Sequence, residues 1–290
     1  MVQWLNDLRY ARFNSAVARR ILGLIYRENQ VYPILWGATR GMKMRFHPTM
    51  TYHAIVGLYE KESTEAITAI IKALRGIYPH TPLAVADVGA NLGVYTLLLA
   101  KLVRSTEHVY AFEPSPDVAG KLRDNVDLNH LEYVTVVEKA VSDQQGTLTF
   151  YLGHDHHTGS LLAERASEEA HAHRSVTVQS TTLDNYFATS GLPYPQFIKM
   201  DIEGGAVFAL KGCDEMVAKS RPVFYIESHS PEEDLAIGTF AHHHQYEVYR
   251  LSGHCWVTDL TKTHPHPDGL WGNLLLFPTE QSAVFHTIFV

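Results

Sequence analysis

The chain has 290 residues, 46% hydrophobic and 19% charged, with a formal net charge of −7 at pH 7. That balance is typical of a globular chain able to bury a substantial core, and the length accommodates one large domain or one domain with an appendage. The negative charge, with no long Lys/Arg run to offset it, argues against a nucleic-acid partner. The two cysteines, Cys213 and Cys255, form no C-x-x-C pair, which excludes a disulfide framework and points to a reducing cytoplasm.

The segment from Met1 to Arg20 is amphipathic and carries Arg9, Arg12, Arg19 and Arg20. Without a long apolar core it is expected to be neither signal peptide nor membrane span, although weak peripheral contact with a membrane surface is compatible with it. Residues 1–80 read as a helical and mixed N-terminal extension. Helical patterns near Leu5 to Tyr26 and Ser63 to Tyr78 flank an aromatic, glycine-bearing stretch, Val31 to Tyr59, suited to short strands.

From Leu83 strands and helices alternate, as in a parallel sheet covered on both faces. Strands are expected at Leu83–Val88, His108–Phe112, Val134–Lys139, Phe197–Ile202, Val223–Glu227, Tyr246–Leu251 and Gly272–Phe277. Helices are expected at Tyr95–Lys101, Pro116–Leu128 and Ala206–Gly212. Residues 81–290 thus read as an α/β, doubly wound, Rossmann-like domain. Its seven-stranded sheet is mostly parallel with an antiparallel last strand, and a hairpin is inserted near 144–185.

The first strand runs into Asp87-Val88-Gly89-Ala90-Asn91-Leu92-Gly93, and the second ends in Glu113. Glycines let a ligand approach the turn, and a carboxylate at the end of the next strand is placed to accept from two ribose hydroxyls. The G-x-x-x-G pattern differs from the G-x-G-x-x-G of a dinucleotide site, and an acidic turn would repel a diphosphate. A cationic nucleoside cofactor, S-adenosylmethionine, suits it better. An NAD-dependent oxidoreductase and a catalytically inactive binding or partner subunit are the alternatives.

Beyond the fourth strand, Lys199, Asp201 and Glu203 would share one side if the strand stayed extended, so that two carboxylates and an amine could meet a substrate hydroxyl. His229, in Glu227-Ser228-His229 at the end of the fifth strand, could take a proton from an attacking hydroxyl. Ser142 and Asp143 close the third strand, where adenine would lie. Runs such as His154–His157, His171–His173, His242–His244 and His264–His266 lack cysteine partners or an H-E-x-x-H helix. They read as solvated loops rather than a metal site.

The chain resembles the FkbM-type methyltransferases. The resemblance rests on Asp87-Val88-Gly89-Ala90-Asn91-x-Gly93-x-Tyr95-Thr96, Phe112-Glu113-Pro114, Asn125-x-x-x-Asn129, Lys139-Ala140-Val141-Ser142-Asp143, Thr182-Leu183-Asp184, Ile198-Lys199-x-Asp201-Ile202-Glu203-Gly204 and Asn273-Leu274-Leu275. It implies a class I, S-adenosylmethionine-dependent O-methyltransferase acting on a sugar, glycan or secondary metabolite. Asp87, Gly89, Asn91 and Gly93 would line the methionine part of the cofactor, with Tyr95 and Thr96 counted in the same cofactor-binding set. Glu113 would hold the ribose, Ser142 and Asp143 the adenine, and Asp201 and Glu203 would face the methyl. One departure is Ala206, where the family usually carries Glu.

Overall fold

The computed structural model describes residues 26–47, 51–55, 57, 59–152, 159–160 and 175–290. The expected first helix, except Tyr26, and the His154–His157 and His171–His173 runs lie outside them. The chain divides into two compact units, Met1–Lys61 and Glu62–Val290.

In the first unit β1 (Val31–Pro33) pairs antiparallel with β2 (Lys43–Arg45), followed by the short α1 (Tyr52–Ile55). Tyr26 stacks on Phe46 with ring centroids 5.4 Å apart, and Tyr32 meets Tyr26 edge-on at 4.8 Å. These are the short strands expected of the aromatic stretch.

The second unit is led by α2 (Lys61–Ile77), whose Ile67, Ile70, Ile71 and Leu74 recur at helical spacing and are all buried. Burial of each such side chain stabilises the unit by roughly 1.5–3 kcal/mol. Arg75 of this helix makes two parallel hydrogen bonds to the Glu107 carboxylate, at 2.8 and 2.7 Å.

Helices and strands then alternate: β3 (Ala84–Val88), α3 (Val94–Leu102), β4 (His108–Phe112), α4 (Pro116–Asp127) and β5 (Val134–Val137). β3 is buried along its whole length, as expected of a strand covered on both faces. The inserted region forms its own four-stranded sheet from β6 (Ala140–Val141), β7 (Gly146–Leu152), β8 (Gly159–Ser160) and β9 (Ser175–Thr181), with β7 and β9 antiparallel as a hairpin requires. The chain continues through α5 (Leu183–Ser190), β10 (Phe197–Met200), α6 (Ala206–Ala209), α7 (Asp214–Ser220), β11 (Val223–Ser228), α8 (Pro231–His243), β12 (Tyr246–Arg250), β13 (Cys255–Val257), β14 (Gly272–Pro278) and α9 (Ser282–His286).

The central sheet has eight strands, ordered β13-β12-β14-β11-β10-β3-β4-β5. All seven expected strands are present, and the eighth, β13, adds only three residues to the edge beside β12. That strand is too short to show alternation in sequence. The core from β10 to β5 is parallel. β14 inserts between β11 and β12 and runs antiparallel to both, so β12 points the same way as β11. The order reverses between β3 and β10, and the turns after β3, β4, β10 and β11 meet at the carboxyl edge there.

Two further points depart from expectation. The helix after β10 is a single turn of α-helix followed by a 3₁₀ turn, Leu210–Gly212. The sequence reading also passed over α5, α7, α8 and α9. Among the described residues no helix is long and apolar enough to cross a membrane.

Candidate active site

The turn after β3 is held from three directions. Gly89 and Ala90 donate backbone hydrogen bonds to the Phe112 carbonyl (3.0 and 2.9 Å), and Asn125 of α4 donates to the Leu92 carbonyl (2.8 Å). A Cβ on Gly89 would overlap the Asp201 carbonyl, and its φ of +83° is one that side chains disfavour. Gly93, at φ +91°, caps α3, and a Cβ there would press into Leu122. Glycine is therefore needed at both positions for the turn to close on its neighbours.

Glu113 ends β4 facing this turn. One carboxylate oxygen accepts from the Asn91 N–H (3.0 Å) and the other from the Ser115 N–H (2.9 Å). Burial pushes its pKa up to about 7 against those two hydrogen bonds. The side-chain oxygen of Asn91 is enclosed without a hydrogen-bond partner among the described residues.

Asp87 is fully buried. One of its oxygens accepts from the Thr96 hydroxyl at 2.7 Å, and the other lies 3.7 Å from the Lys199 ammonium. Burial raises this carboxyl above its ordinary value, with Lys199 and Thr96 offsetting part of the rise. Lys199 lies over the Tyr95 ring (4.8 Å) and reaches Asp201 at 3.3 Å. Thr96 and Tyr95 are both buried, so they support Asp87 and Lys199 from within.

Asp201 is the hub of the cluster. Beyond Lys199 it meets His229 Nε2 at 3.2 Å, and Glu203 lies 3.8 Å from Nδ1 of the same imidazole. Burial alone would raise the Asp201 pKa, but Lys199 and His229 together hold it well below the usual carboxylate range. Burial alone would lower the His229 pKa. The Asp201 hydrogen bond and the charges of Glu203, Asp201 and Glu227 outweigh it and push the imidazole up to about 9. Asp201, Glu227 and His229 also present donor atoms within 4.8 Å of one another, close enough to converge on a cation.

The route by which Glu203 reaches this group differs from the expected alternation. β10 ends at Met200, and Glu203 adopts a left-handed φ of +48° in the turn that follows. Its carbonyl accepts from the Ser160 hydroxyl of β8 at 2.6 Å. Ser142 and Asp143 lie apart from the cluster. The Ser142 hydroxyl donates to Asp143 (3.2 Å) and its N–H to the Thr181 carbonyl (2.9 Å). No hydrogen bond or ion pair joins this pair to Asp87, Lys199 or Asp201 among the described residues.

Sequence reasoning missed Glu233. This residue is 1% exposed in the first turn of α8, and its carboxylate accepts from the His229 N–H (2.8 Å) and the Ala206 N–H (3.3 Å). It thereby ties the β10 and β11 turns together, and an acid from α8 meets the backbone of Ala206, where the resemblance expected a Glu. The signal was present in Ser230-Pro231-Glu232-Glu233, a capping box in which Ser230 Oγ accepts from the Glu233 N–H. Two motif residues prove structural: Asn125 fixes the glycine turn, and Asp184 accepts from the N–H groups of Glu215 and Met216 at the start of α7.

Residues 87–250, more than half of the chain, match the family model of the methyltransferase FkbM domain. The chain belongs to that family. It is 26% identical over 126 residues to the hexuronic acid methyltransferase AglP of Haloferax volcanii, covering 43% of this chain and 48% of that protein. It is 24% identical over 151 residues to the 2-O-methyltransferase NoeI of Sinorhizobium fredii, covering 48% and 61%. The chain thus spans about half the length of these relatives. A solved methyltransferase FkbM from Methylobacillus flagellatus is 19% identical, with a TM-score of 0.43 over 68% of this chain and 44% of that one. A SAM-dependent O-methyltransferase from Thermotoga maritima is 11% identical, with a TM-score of 0.41 over 75% and 65%.

Proposed function

We propose that this FkbM family member transfers a methyl group from S-adenosylmethionine to a hydroxyl oxygen of a sugar, glycan or secondary metabolite. The observation that carries the reading is the convergence of Glu113, the Gly89–Gly93 turn and the Asp201–His229 pair on one sheet edge. The residues fit the cofactor. Gly89 and Gly93 leave the turn without side chains, Asn91 has a spare acceptor, and each Glu113 oxygen keeps a lone pair for a ribose hydroxyl. Ser142 and Asp143 are assigned to the adenine by the same reading. When bound, the cofactor supplies an electrophilic methyl on a sulfonium centre.

The protein's own part is orientation and proton handling. Asp201, held ionised by Lys199, accepts from Nε2–H of His229 and leaves Nδ1 to take the proton of the acceptor hydroxyl. Glu203, near Nδ1, stabilises the imidazolium that forms. Pre-alignment of the hydroxyl contributes the larger share, since methyl transfer needs chiefly an in-line approach. Lys199 supplies positive charge at Asp201, so this reading assigns the cluster no metal. Cys213 and Cys255 are both free thiols, which supports a cytoplasmic setting.

Calorimetric titration with S-adenosylmethionine and with NAD, on wild type and Glu113→Ala, tests the reading. Binding of the sulfonium ligand that depends on Glu113 is the expected result. Preference for NAD, or no binding of either, overturns it.

A further inference from the structure

Glu203 faces His229 from a strained backbone position. The Gly205 N–H donates to the Ile202 carbonyl (3.0 Å) and closes a four-residue turn whose two central residues, Glu203 and Gly204, both have positive φ, +48° and +91°. That is the type I′ pattern, which favours Asn, Asp or Gly and is costly for a glutamate. A residue held in such a conformation persists only where its surroundings enforce it.

One enforcing contact comes from the inserted sheet. The Glu203 carbonyl belongs to the peptide between the two central residues, outside the hydrogen bond that closes the turn, and it accepts from the Ser160 hydroxyl at 2.6 Å. Ser160 is 1% exposed, so water does not compete for that bond. The serine lies on β8, the edge strand of the small sheet, where it pairs with Tyr151 of β7 on one side and reaches the reaction turn with its hydroxyl. A strand 43 residues earlier in the chain thus grips the peptide that follows Glu203.

The consequence falls on the imidazole. His229 is faced by Asp201 and Glu203 from the turn after β10 and by Glu227 from β11, while the Glu233 carboxylate of α8 accepts from its backbone N–H. Asp201 meets Nε2 at 3.2 Å, whereas Glu203 stands 3.8 Å from Nδ1 with a side chain 44% exposed. A side chain that open takes its place chiefly from the backbone that carries it.

We infer that Ser160 is a positioning residue for the reaction: by holding the Glu203 carbonyl it fixes the turn that presents the Glu203 carboxylate to Nδ1 of His229. The inference rests on the methyl-transfer reading for what His229 does there. The competing account is that Ser160 only fastens the edge of the small sheet. That account predicts an effect on stability and none on the imidazole.

NMR titration of the histidine imidazoles in the full chain separates the two, with the His229 signal identified by its loss in His229→Gln. A full charge about 4 Å away moves a titration midpoint by roughly half a pH unit or more, so Glu203→Gln should lower the His229 midpoint by that much. Ser160→Ala should produce about half of that fall or more, and Ser160→Thr, which keeps the hydroxyl, should restore the wild-type midpoint. In the Glu203→Gln background Ser160→Ala should add less than about 0.1 pH unit, since two residues acting through one contact are not additive. A midpoint that does not fall in folded Ser160→Ala, or an equal fall in the Glu203→Gln background, overturns the proposal. If Ser160→Ala does not fold, Ser160→Cys keeps a similar volume with only a weak donor, and the same readings apply. Neither cofactor nor acceptor is added, so failure of the methyl-transfer reading shows separately, as absent binding of S-adenosylmethionine in calorimetry.

Discussion

Replacing Glu233 by Ala removes the acceptor that the backbone N–H groups of His229 and Ala206 share. An orphaned buried donor costs about 1–3 kcal/mol. The 2.8 Å bond to His229 belongs toward the upper end of that range and the 3.3 Å bond to Ala206 at the lower end. Loss of the buried side-chain methylenes adds about 1 kcal/mol. The Ser230 cap survives, since its hydroxyl accepts from the Glu233 backbone. The sum is about 3–5 kcal/mol, which for a domain of this size lowers the melting temperature by roughly 10 °C. Glu233→Gln keeps one acceptor oxygen and should lose about 1–2 kcal/mol. Because the bond sets the position of His229, the Gln variant should also lose kcat at unchanged cofactor affinity. Urea unfolding of both variants, with methyl-transfer kinetics on the Gln variant, provides the test. An Ala variant within 1 kcal/mol of wild type, or a folded Gln variant with full kcat, would refute the argument.

Three other outcomes are expected. Gly89→Ala forces a Cβ into the Asp201 carbonyl at a left-handed φ, so it should cost about 2–5 kcal/mol and abolish cofactor binding, read by thermal melting and calorimetry. The Glu113 carboxyl, raised to about 7 by burial, stays protonated in the native state while the unfolded chain ionises. Its contribution to stability is therefore complete below its ordinary value and lost, by about 3 kcal/mol, as pH rises toward 7. Glu113→Gln should remove that loss, melting higher than wild type at pH 8 but not at pH 4, while binding S-adenosylmethionine at least about tenfold more weakly by calorimetry. His229, raised to about 9, must be neutral to accept a proton, so kcat/KM should climb about tenfold per pH unit from 7 toward 9, and His229→Ala should flatten the profile. Stability has the opposite sign: the His229 contribution is complete below 6.5 and lost as pH rises through 9, which pH-dependent melts of wild type and His229→Ala would show.

The glycine turn and Glu113 were legible because local physics dictates them. An apolar strand, a glycine turn and a strand-end carboxylate are all encoded within the stretch from Ala84 to Glu113, and the structure pairs the two strands in parallel. Asp201 and His229 were legible as residues at strand ends. Their contact was not, because it depends on β10 and β11 lying side by side. Alternation would carry Glu203 to Asp201 only in an extended strand, and the strand ends at Met200; nothing in Ile202-Glu203-Gly204 announces a left-handed residue before the glycine.

By itself the sequence determined seven strands of the central sheet, the parallel core, the glycine turn and the acids that end the strands, since each follows from periodicity and from backbone limits acting over a few residues. Tertiary structure alone decided that β14 inserts between β11 and β12, that Asp201 meets His229, and that Glu233 ties the turns bearing them. Each of these joins residues distant in the chain, and burial together with the geometry of neighbouring strands sets which charges meet.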